Sequence, residues 1–186
     1  APGALLNLLR TAAQGDLKLR VRASPQMISI ADKNLFNYHM VFMHGRHEFR
    51  LTEAERTQLR EYLQRGGTLF ADSICASKPF VAAFRREMAE ILPSQTLMRI
   101  PTDDPLFTGA FGGYDIRQVM LRDPQMVGDA QPIAARVMQV EPQLEGIELD
   151  GRWAVIFSPY DISCALESHE AIGCRGLMVL PPYVYK

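Results

Sequence analysis

Apolar positions along the chain recur with two periods, one typical of strands and one typical of helices. The continuous apolar run Met40–His44 predicts a central parallel strand that is buried on both faces. Thr52 and Glu55 then form a capping box, which predicts a helix that ends at Gly66. A second apolar run, Thr68–Asp72, follows at once. The order strand, helix, strand predicts a parallel βαβ unit with a right-handed crossover.

The second apolar run leads into another helix. Phe80, Phe84, Met88 and Ile91 recur at helical spacing, and Ser77 stands where it can cap the first turn. We interpret this stripe of Phe and Met as core packing rather than as a cofactor site. The helix is therefore expected to lie against the sheet.

The ends of the chain add weaker signals. Over residues 4–13, apolar residues recur at helical spacing on one side, which predicts an amphipathic N-terminal helix. Alternation over Leu17–Arg22 predicts a half-exposed strand, which Met27–Ile30 extends or follows. Asp150 and Gly151 separate two apolar segments and predict a hairpin, with an edge strand first and a buried strand second. Residues 101–142 are rich in Gly, Pro and Asp, which predicts a loop-rich insertion with short strands that overhangs a site.

These elements predict a three-layer α/β/α sandwich with a mostly parallel sheet, to which the β-hairpin and the loop-rich insertion are added. With 186 residues, 47% of them hydrophobic, the chain has the length and composition of one domain. Its apolar runs are of strand length and fall short of the ~20 residues that a membrane-spanning helix needs. The 20 basic and 21 acidic residues nearly cancel, so we predict no nucleic-acid partner.

The three cysteines do not form a recognisable motif. They are too few for a disulfide scaffold and have no C-x-x-C spacing. A disulfide between Cys164 and Cys174 would fit an oxidising compartment, whereas three free thiols would fit the cytosol. The count of cysteines does not separate these alternatives.

The candidate site is the junction between the second strand and the helix that follows it, because open α/β sheets bind ligands at the carboxyl ends of their strands. Asp72 ends this strand, where we expect it to face solvent, and Asp161 follows another buried strand in the same way. The two carboxylates are therefore expected to converge, either for acid–base chemistry or as helix caps. The predicted ligand-binding rim consists of His44, His47, Asp72, Ser73, Cys75 and Asp161.

A family resemblance supports this fold. The chain closely resembles a bacterial family, domain of unknown function 4159, at Leu51-Thr52, Gly66–Asp72, Cys75, Phe84–Met88, Leu144–Ile147 and Trp153–Asp161. The resemblance covers most of the chain and implies a fold similar to class I glutamine amidotransferase-like and flavodoxin-like proteins. It also implies a single domain over residues 1–186 that lacks the family's first strand and an upstream targeting segment. The family's motif includes the positions of Asp72, Cys75 and Asp161, but it transfers no catalytic role.

Cys75 is the candidate catalytic residue, because a helix N-terminus would lower the pKa of its thiol and stabilise a thiolate. No glycine flanks it, and only His169 and Glu170 stand late in the chain as partners. A structural or ligand-lining cysteine is therefore favoured over a nucleophile. The scattered His, Asp and Cys residues do not have the spacing of a zinc site, so we predict neither a metal nor a cofactor.

We therefore expect a non-catalytic, amidotransferase-like module that binds a protein partner or a small ligand at the predicted rim. The resemblance implies that it is a subunit of a periplasmic or envelope-associated assembly, although the chain itself does not span a membrane. The alternatives are a hydrolase or amidotransferase-like enzyme that uses Cys75, and a cytoplasmic location.

Overall fold

The structure is a computed structural model that describes residues 3–14, 20, 27–111, 114–125, 134–166 and 176–178. Within these ranges the helices are α1 (Ala4–Gln14), α2 (Glu53–Gln64), α3 (Lys78–Ile91) and α4 (Ser163–Leu166). The strands are β1 (Met40–Gly45), β2 (Thr68–Ser73), β3 (Met98–Arg99), β4 (Val119–Gln125), β5 (Ala134–Val140), β6 (Glu145–Leu149), β7 (Arg152–Ser158) and β8 (Gly176–Met178). None of the helices in these ranges is both long enough and apolar enough to cross a membrane.

The central sheet has the strand order β1-β2-β7-β6-β3 and is mixed. β1, β2 and β7 run parallel, as the βαβ pattern predicts, whereas β6 and β3 pair in antiparallel fashion. The prediction of a mostly parallel sheet is therefore wrong, because a two-residue hairpin turn can join only antiparallel strands. Among the described strands, β1 stands last on one side of this order and is half-buried rather than buried on both faces, and β6 lies inside the sheet rather than at its edge.

The hairpin between β6 and β7 is confirmed. Its two turn residues, Asp150 and Gly151, have φ values of 51° and 74°. Two consecutive positive φ values define a type I′ turn, whose twist matches that of the flanking strands. Behind the turn, the Trp153 ring lies so close to Gly146 that a Cβ there would stand 2.6 Å from the indole. The Trp153 ring thus packs directly against the backbone of Gly146, where a larger residue would clash with it.

Both predicted helices of the first half are confirmed. At the start of α2, the Glu55 N–H donates to the Thr52 hydroxyl oxygen, and the Thr52 N–H donates to the Glu55 carboxylate at 2.8 Å. At the start of α3, Ser77 occupies the cap position but its hydroxyl donates to the carbonyl oxygen of Arg46. Ser77 therefore ties α3 to the loop after β1 instead of capping the helix.

α2 and α3 pack together on one face of the central sheet. The predicted stripe of Phe80, Phe84, Met88 and Ile91 is buried in this layer, which confirms its assignment to the core. In β2, Leu69 and Ala71 point to the same layer. Since side chains alternate along a strand, Phe70 and Asp72 point to the opposite face.

The predicted insertion contains real strands. β4 pairs with β5 in antiparallel fashion, and β4 also pairs with β8 in a second sheet of order β5-β4-β8. Before β4, the indole N–H of Trp153 donates to a carboxylate oxygen of Asp104 at 3.0 Å. This bond connects the start of the insertion to the hairpin of the central sheet.

The N-terminal helix is confirmed as α1, but the segment after it differs from the expectation. The predicted strand Leu17–Arg22 lies outside the described residues apart from Arg20. Met27–Ile30 is irregular and leads into a turn, because the Ala31 N–H donates to the Ser29 hydroxyl oxygen. Such local side-chain bonds compete with a strand's pairing.

Candidate functional site

Asp72 is a buried structural residue. Its side chain is fully inaccessible to solvent, so the expectation that it faces solvent is wrong. The carboxylate accepts hydrogen bonds from the N–H of Ile162 at 3.0 Å, from the N–H of Ser163 at 3.1 Å and from the Ser163 hydroxyl. It therefore satisfies the first N–H groups of α4 from the end of β2.

Asp161 makes the reciprocal connection. Its carboxylate accepts from the N–H of Cys75 at 2.7 Å and from the N–H of Cys164 at 2.9 Å, and its exposed fraction is only 1%. Asp72 and Asp161 thus converge, as the sequence predicts, and each binds the backbone beside the other. We refer to Asp72, Asp161 and their four N–H donors as the carboxylate clasp. The clasp joins the end of β2 to the loop between β7 and α4.

Burial dominates the protonation of Asp72. It raises the pKa of the Asp72 carboxyl group to about 7, from an ordinary 3.8, and the nearby charge of Asp161 acts in the same direction. The hydrogen bonds from Ser163 and from the Ile162 N–H oppose this rise, because they favour the ionised carboxylate. Burial outweighs these donors, so Asp72 changes protonation near neutral pH.

The turn between β2 and α3 has a strained backbone. Cys75 and Ala76 have φ values of 54° and 52°, a conformation that L-residues other than glycine rarely adopt. The bond from the Cys75 N–H to Asp161 holds this conformation in place. Cys75 is disulfide-bonded. Its sulfur therefore carries no thiolate in this structure.

The other two cysteines do not form the expected bridge. Cys164 is a free thiol, so the predicted Cys164–Cys174 disulfide is wrong, and Cys174 lies outside the described residues. Burial raises the pKa of the Cys164 thiol to about 12, and the Asp161 carboxylate adds to the rise. Cys164 is therefore a neutral thiol at neutral pH. His169 and Glu170 also lie outside the described residues.

The remaining members of the predicted rim are spread out. His44 lies beside Asp72 in the register of β1 and β2, with its ring 5.2 Å from that of Phe42. Ser73 is buried and donates to the carbonyl oxygen of Ser77, whereas His47 is exposed in the loop after β1. Across the described ranges, no group of three or more His, Cys, Asp or Glu side chains is placed to hold a metal ion.

A groove of about 370 Å³ opens next to the clasp, at the carboxyl ends of β2 and β7. We call it the rim groove. Its walls come from the strained turn, the first two turns of α3, the start of β6, β3 and the loop after β7. The lining residues are Ala76, Lys78, Val81, Ala82, Arg85, Arg99, Gln143, Glu145, Pro159 and Tyr160. Sequence reasoning missed this groove, although Lys78, Ala82 and Arg85 recur at helical spacing on one side of α3.

The charges in the rim groove are unevenly compensated. Arg85 makes a two-pronged pair with the Glu145 carboxylate, with Nε to Oε2 at 3.0 Å. Arg99 pairs with Glu141 at 2.9 Å, and both of these side chains are about half exposed. In the described part of the chain, no carboxylate pairs with Lys78. Among the described residues, Lys78 is thus the cation of the groove that has no carboxylate partner.

Comparison with known proteins assigns the chain to a family. No curated protein matches it. The sequence model of the family described as "Domain of unknown function (DUF4159)" matches residues 1–185. This match covers the whole chain apart from its last residue. The chain therefore belongs to the DUF4159 family, as the resemblance at Gly66–Asp72 and Trp153–Asp161 predicts.

Proposed function

We propose that the chain is a non-catalytic binding module with an amidotransferase-like fold, and that it binds its ligand or partner in the rim groove. The observation that carries this proposal is the position of the groove, at the carboxyl ends of β2 and β7 beside a strained turn. Open α/β sheets bind ligands at this end of their strands. The parallel β1-β2-β7 part and the strand-to-helix turn at Cys75 support the relationship to amidotransferase-like proteins.

The strained backbone of the turn supports a binding role for the rim groove. Each residue held in a left-handed conformation costs about 1 kcal/mol or more, and such strain persists where the surroundings impose it. Here the clasp imposes it, through the bond from the Cys75 N–H to Asp161. Ala76, the second strained residue, lines the groove. The volume of the groove also lies in the range of roughly 300–1,000 Å³ that is typical of ligand sites.

The chemistry of the neighbouring side chains favours binding over catalysis. Asp72 and Asp161 are occupied as acceptors in the clasp and are inaccessible to a substrate. A nucleophilic cysteine must be a thiolate, whereas Cys75 is disulfide-bonded and Cys164 is held neutral. The Cys75-dependent enzyme would need both a reduced Cys75 and a general base beside it.

The disulfide also bears on the location of the protein. Disulfides persist in oxidising compartments such as the periplasm and are rare in the cytosol. The bond at Cys75 therefore supports the periplasmic or envelope-associated location, and with it a role as a subunit of an envelope assembly.

The proposal is tested by a fragment screen that follows backbone amide signals by NMR. We expect fragments to shift the signals of Ala76, Lys78 and Tyr160, and we expect Ala82→Trp to abolish these shifts by filling the groove. Ala54→Trp is the matched control, because Ala54 is an exposed residue of α2 away from the groove. Fragments that bind elsewhere, or that bind Ala82→Trp unchanged, would contradict the proposal.

A second measurement addresses the catalytic alternative. Ammonia release from glutamine is followed for the wild type and for Cys75→Ser, each with and without a thiol reductant. We expect no turnover that depends on Cys75 under either condition. Turnover that appears in the reduced wild type and is lost in Cys75→Ser would establish the enzyme and overturn the binding module.

A further inference from the structure

We infer that the rim groove selects a small organic anion, whose carboxylate or phosphate group binds between Lys78 and Arg99 while its carbon skeleton lies on α3. This inference rests on the proposed function and adds the chemical class of the ligand. Lys78 and Arg99 both line the groove, from the start of α3 and from β3. The two cations stand on different elements, so an anion between them would be held from two sides.

The charge balance of the groove favours a negatively charged ligand. The lining includes three cations, Lys78, Arg85 and Arg99, and one carboxylate, that of Glu145. Glu145 is held by Arg85 through two hydrogen bonds, so this pair neutralises itself. The surplus positive charge lies with the other two cations. A ligand anion would supply Lys78 with the counter-charge that no carboxylate in the described ranges provides.

Arg99 can exchange its partner at little cost. The pair between Arg99 and Glu141 is exposed, with side-chain accessibilities of 51% and 53%. Exposed pairs of this kind contribute little to stability, because solvent screens both charges. Thr102 also donates to the Glu141 carboxylate, so Glu141 keeps a polar partner when Arg99 turns to a ligand. Glu141 itself does not line the groove and acts as a competitor for Arg99.

The rest of the lining favours a small organic molecule over a bare inorganic ion. Val81, Ala82 and Pro159 present carbon atoms to the groove, and Tyr160 adds an aromatic ring. These groups match the apolar walls with a few polar anchors that are typical of small-molecule sites. An apolar group attached to the anion would thus gain contact area that inorganic phosphate cannot use.

The inference is tested with probes that share a ring and differ in charge. Benzoate and phenyl phosphate carry the two anionic groups, and benzamide is their neutral control. We expect the amide signals of Lys78 and Tyr160 to shift with an anionic probe, and we expect benzamide to bind about tenfold more weakly or not at all. Comparison of benzoate with phenyl phosphate shows which anion the groove prefers. Added salt should weaken the binding of the anions alone.

Variants assign the contacts. Lys78→Met and Arg99→Gln should each weaken binding of the preferred anion by about tenfold. Lys33→Met is the matched control, because Lys33 is exposed and does not line the groove. Glu141→Gln removes the competitor of Arg99 and should strengthen binding, a gain that damage to the fold would not produce.

The outcomes separate the two proposals. Equal binding of benzoate and benzamide in the groove would overturn the anion selectivity and leave the binding module standing. If neither anion shifts the groove signals while neutral fragments of the screen do, the anion selectivity is likewise overturned and the binding module stands. Failure of every probe and fragment at the groove would overturn both. If a larger acidic peptide binds the groove and the small anions do not, the ligand is a protein segment and the inference of a small organic anion is overturned.

Discussion

The carboxylate of Asp72 accepts two hydrogen bonds from Ser163, one from its N–H at 3.1 Å and one from its hydroxyl, although 91 positions separate the two residues. The bonds join the end of β2 to the start of α4. In the opposite direction, the Asp161 carboxylate accepts a hydrogen bond from the N–H of Cys75. The two carboxylates of the predicted rim are therefore buried structural groups, and the rim groove lies beside them.

At about pH 4, where folded Asp72 is protonated, Asp72→Ala should destabilise the protein by about 2–4 kcal/mol, because the N–H groups of Ile162 and Ser163 and the Ser163 hydroxyl lose their acceptor. Urea denaturation followed by circular dichroism measures the change. Asp103→Ala is the matched control, since Asp103 is exposed and should cost no more than about 0.5 kcal/mol. Equal stability of the two variants would contradict the clasp.

The stabilising effect of Asp72 should depend on pH. Its pKa is raised from 3.8 to about 7 in the folded protein, chiefly by burial, so the folded state holds a proton that the unfolded state releases. Its contribution is therefore complete below about pH 4 and is lost as the pH rises towards 7. The measurement is the stability difference between the wild type and Asp72→Asn, which cancels the other titrating groups. This difference should fall by roughly 1 kcal/mol per pH unit across the window, and a flat or rising difference would contradict the burial of Asp72.

Phe84→Ala should cost about 3–5 kcal/mol, as expected for emptying a core aromatic site. The Phe84 ring is fully buried and stacks on that of Phe157, with centroids 4.2 Å apart. Phe111→Ala serves as the control, because Phe111 is 75% exposed and its loss should be nearly neutral. Chemical denaturation midpoints that move equally little in both variants would show that α3 does not pack on β7.

The thiol of Cys164 should be unreactive in the folded protein. Its pKa is raised to about 12, first by burial and then by Asp161, so almost no thiolate is present at mildly alkaline pH. Iodoacetamide labelling, read by mass spectrometry without reductant, should modify Cys164 only after unfolding. Cys75 should stay unmodified in both states because it is disulfide-bonded. Rapid labelling of Cys75 without reductant would show that Cys75 is not disulfide-bonded.

The proposed location is tested by fractionation of the native organism with an antibody to this chain. We expect the protein in the periplasmic or envelope fraction, in keeping with the disulfide at Cys75. Thiol trapping at lysis should recover that disulfide intact. Recovery in the cytosolic fraction alone, with Cys75 reduced, would contradict both expectations.

Local signals in the sequence predicted the elements well. The capping box of Thr52 and Glu55, the turn at Asp150 and Gly151 and the apolar stripe of α3 each involve residues close together in the chain, and all three are confirmed. Their physical causes act within one helix or one hairpin. A single sequence displays such causes directly.

Relationships between distant segments could not be read in the same way. β1 is predicted to be buried on both faces because its residues are apolar, yet its side chains are half-buried, since burial depends on which elements pack around the strand. Asp72 follows a strand, as many ligand-binding carboxylates do, and only the position of α4 shows that it is buried. The rim groove combines α3 with β3, β6 and the loop after β7, so no local pattern contains it.

Because the Trp153 ring packs directly on the backbone of Gly146, the residue at one of these two positions limits which residues the other can carry. A Cβ at position 146 would stand 2.6 Å from the indole, and the same ring holds Asp104 through its N–H. Relatives of this chain with a bulkier residue at 146 should therefore carry a smaller one at 153, and an aspartate at 104 would lose its donor along with the indole. An alignment of family members should show these three positions varying together. A substitution at any one of them should therefore be tolerated only when the other two change with it.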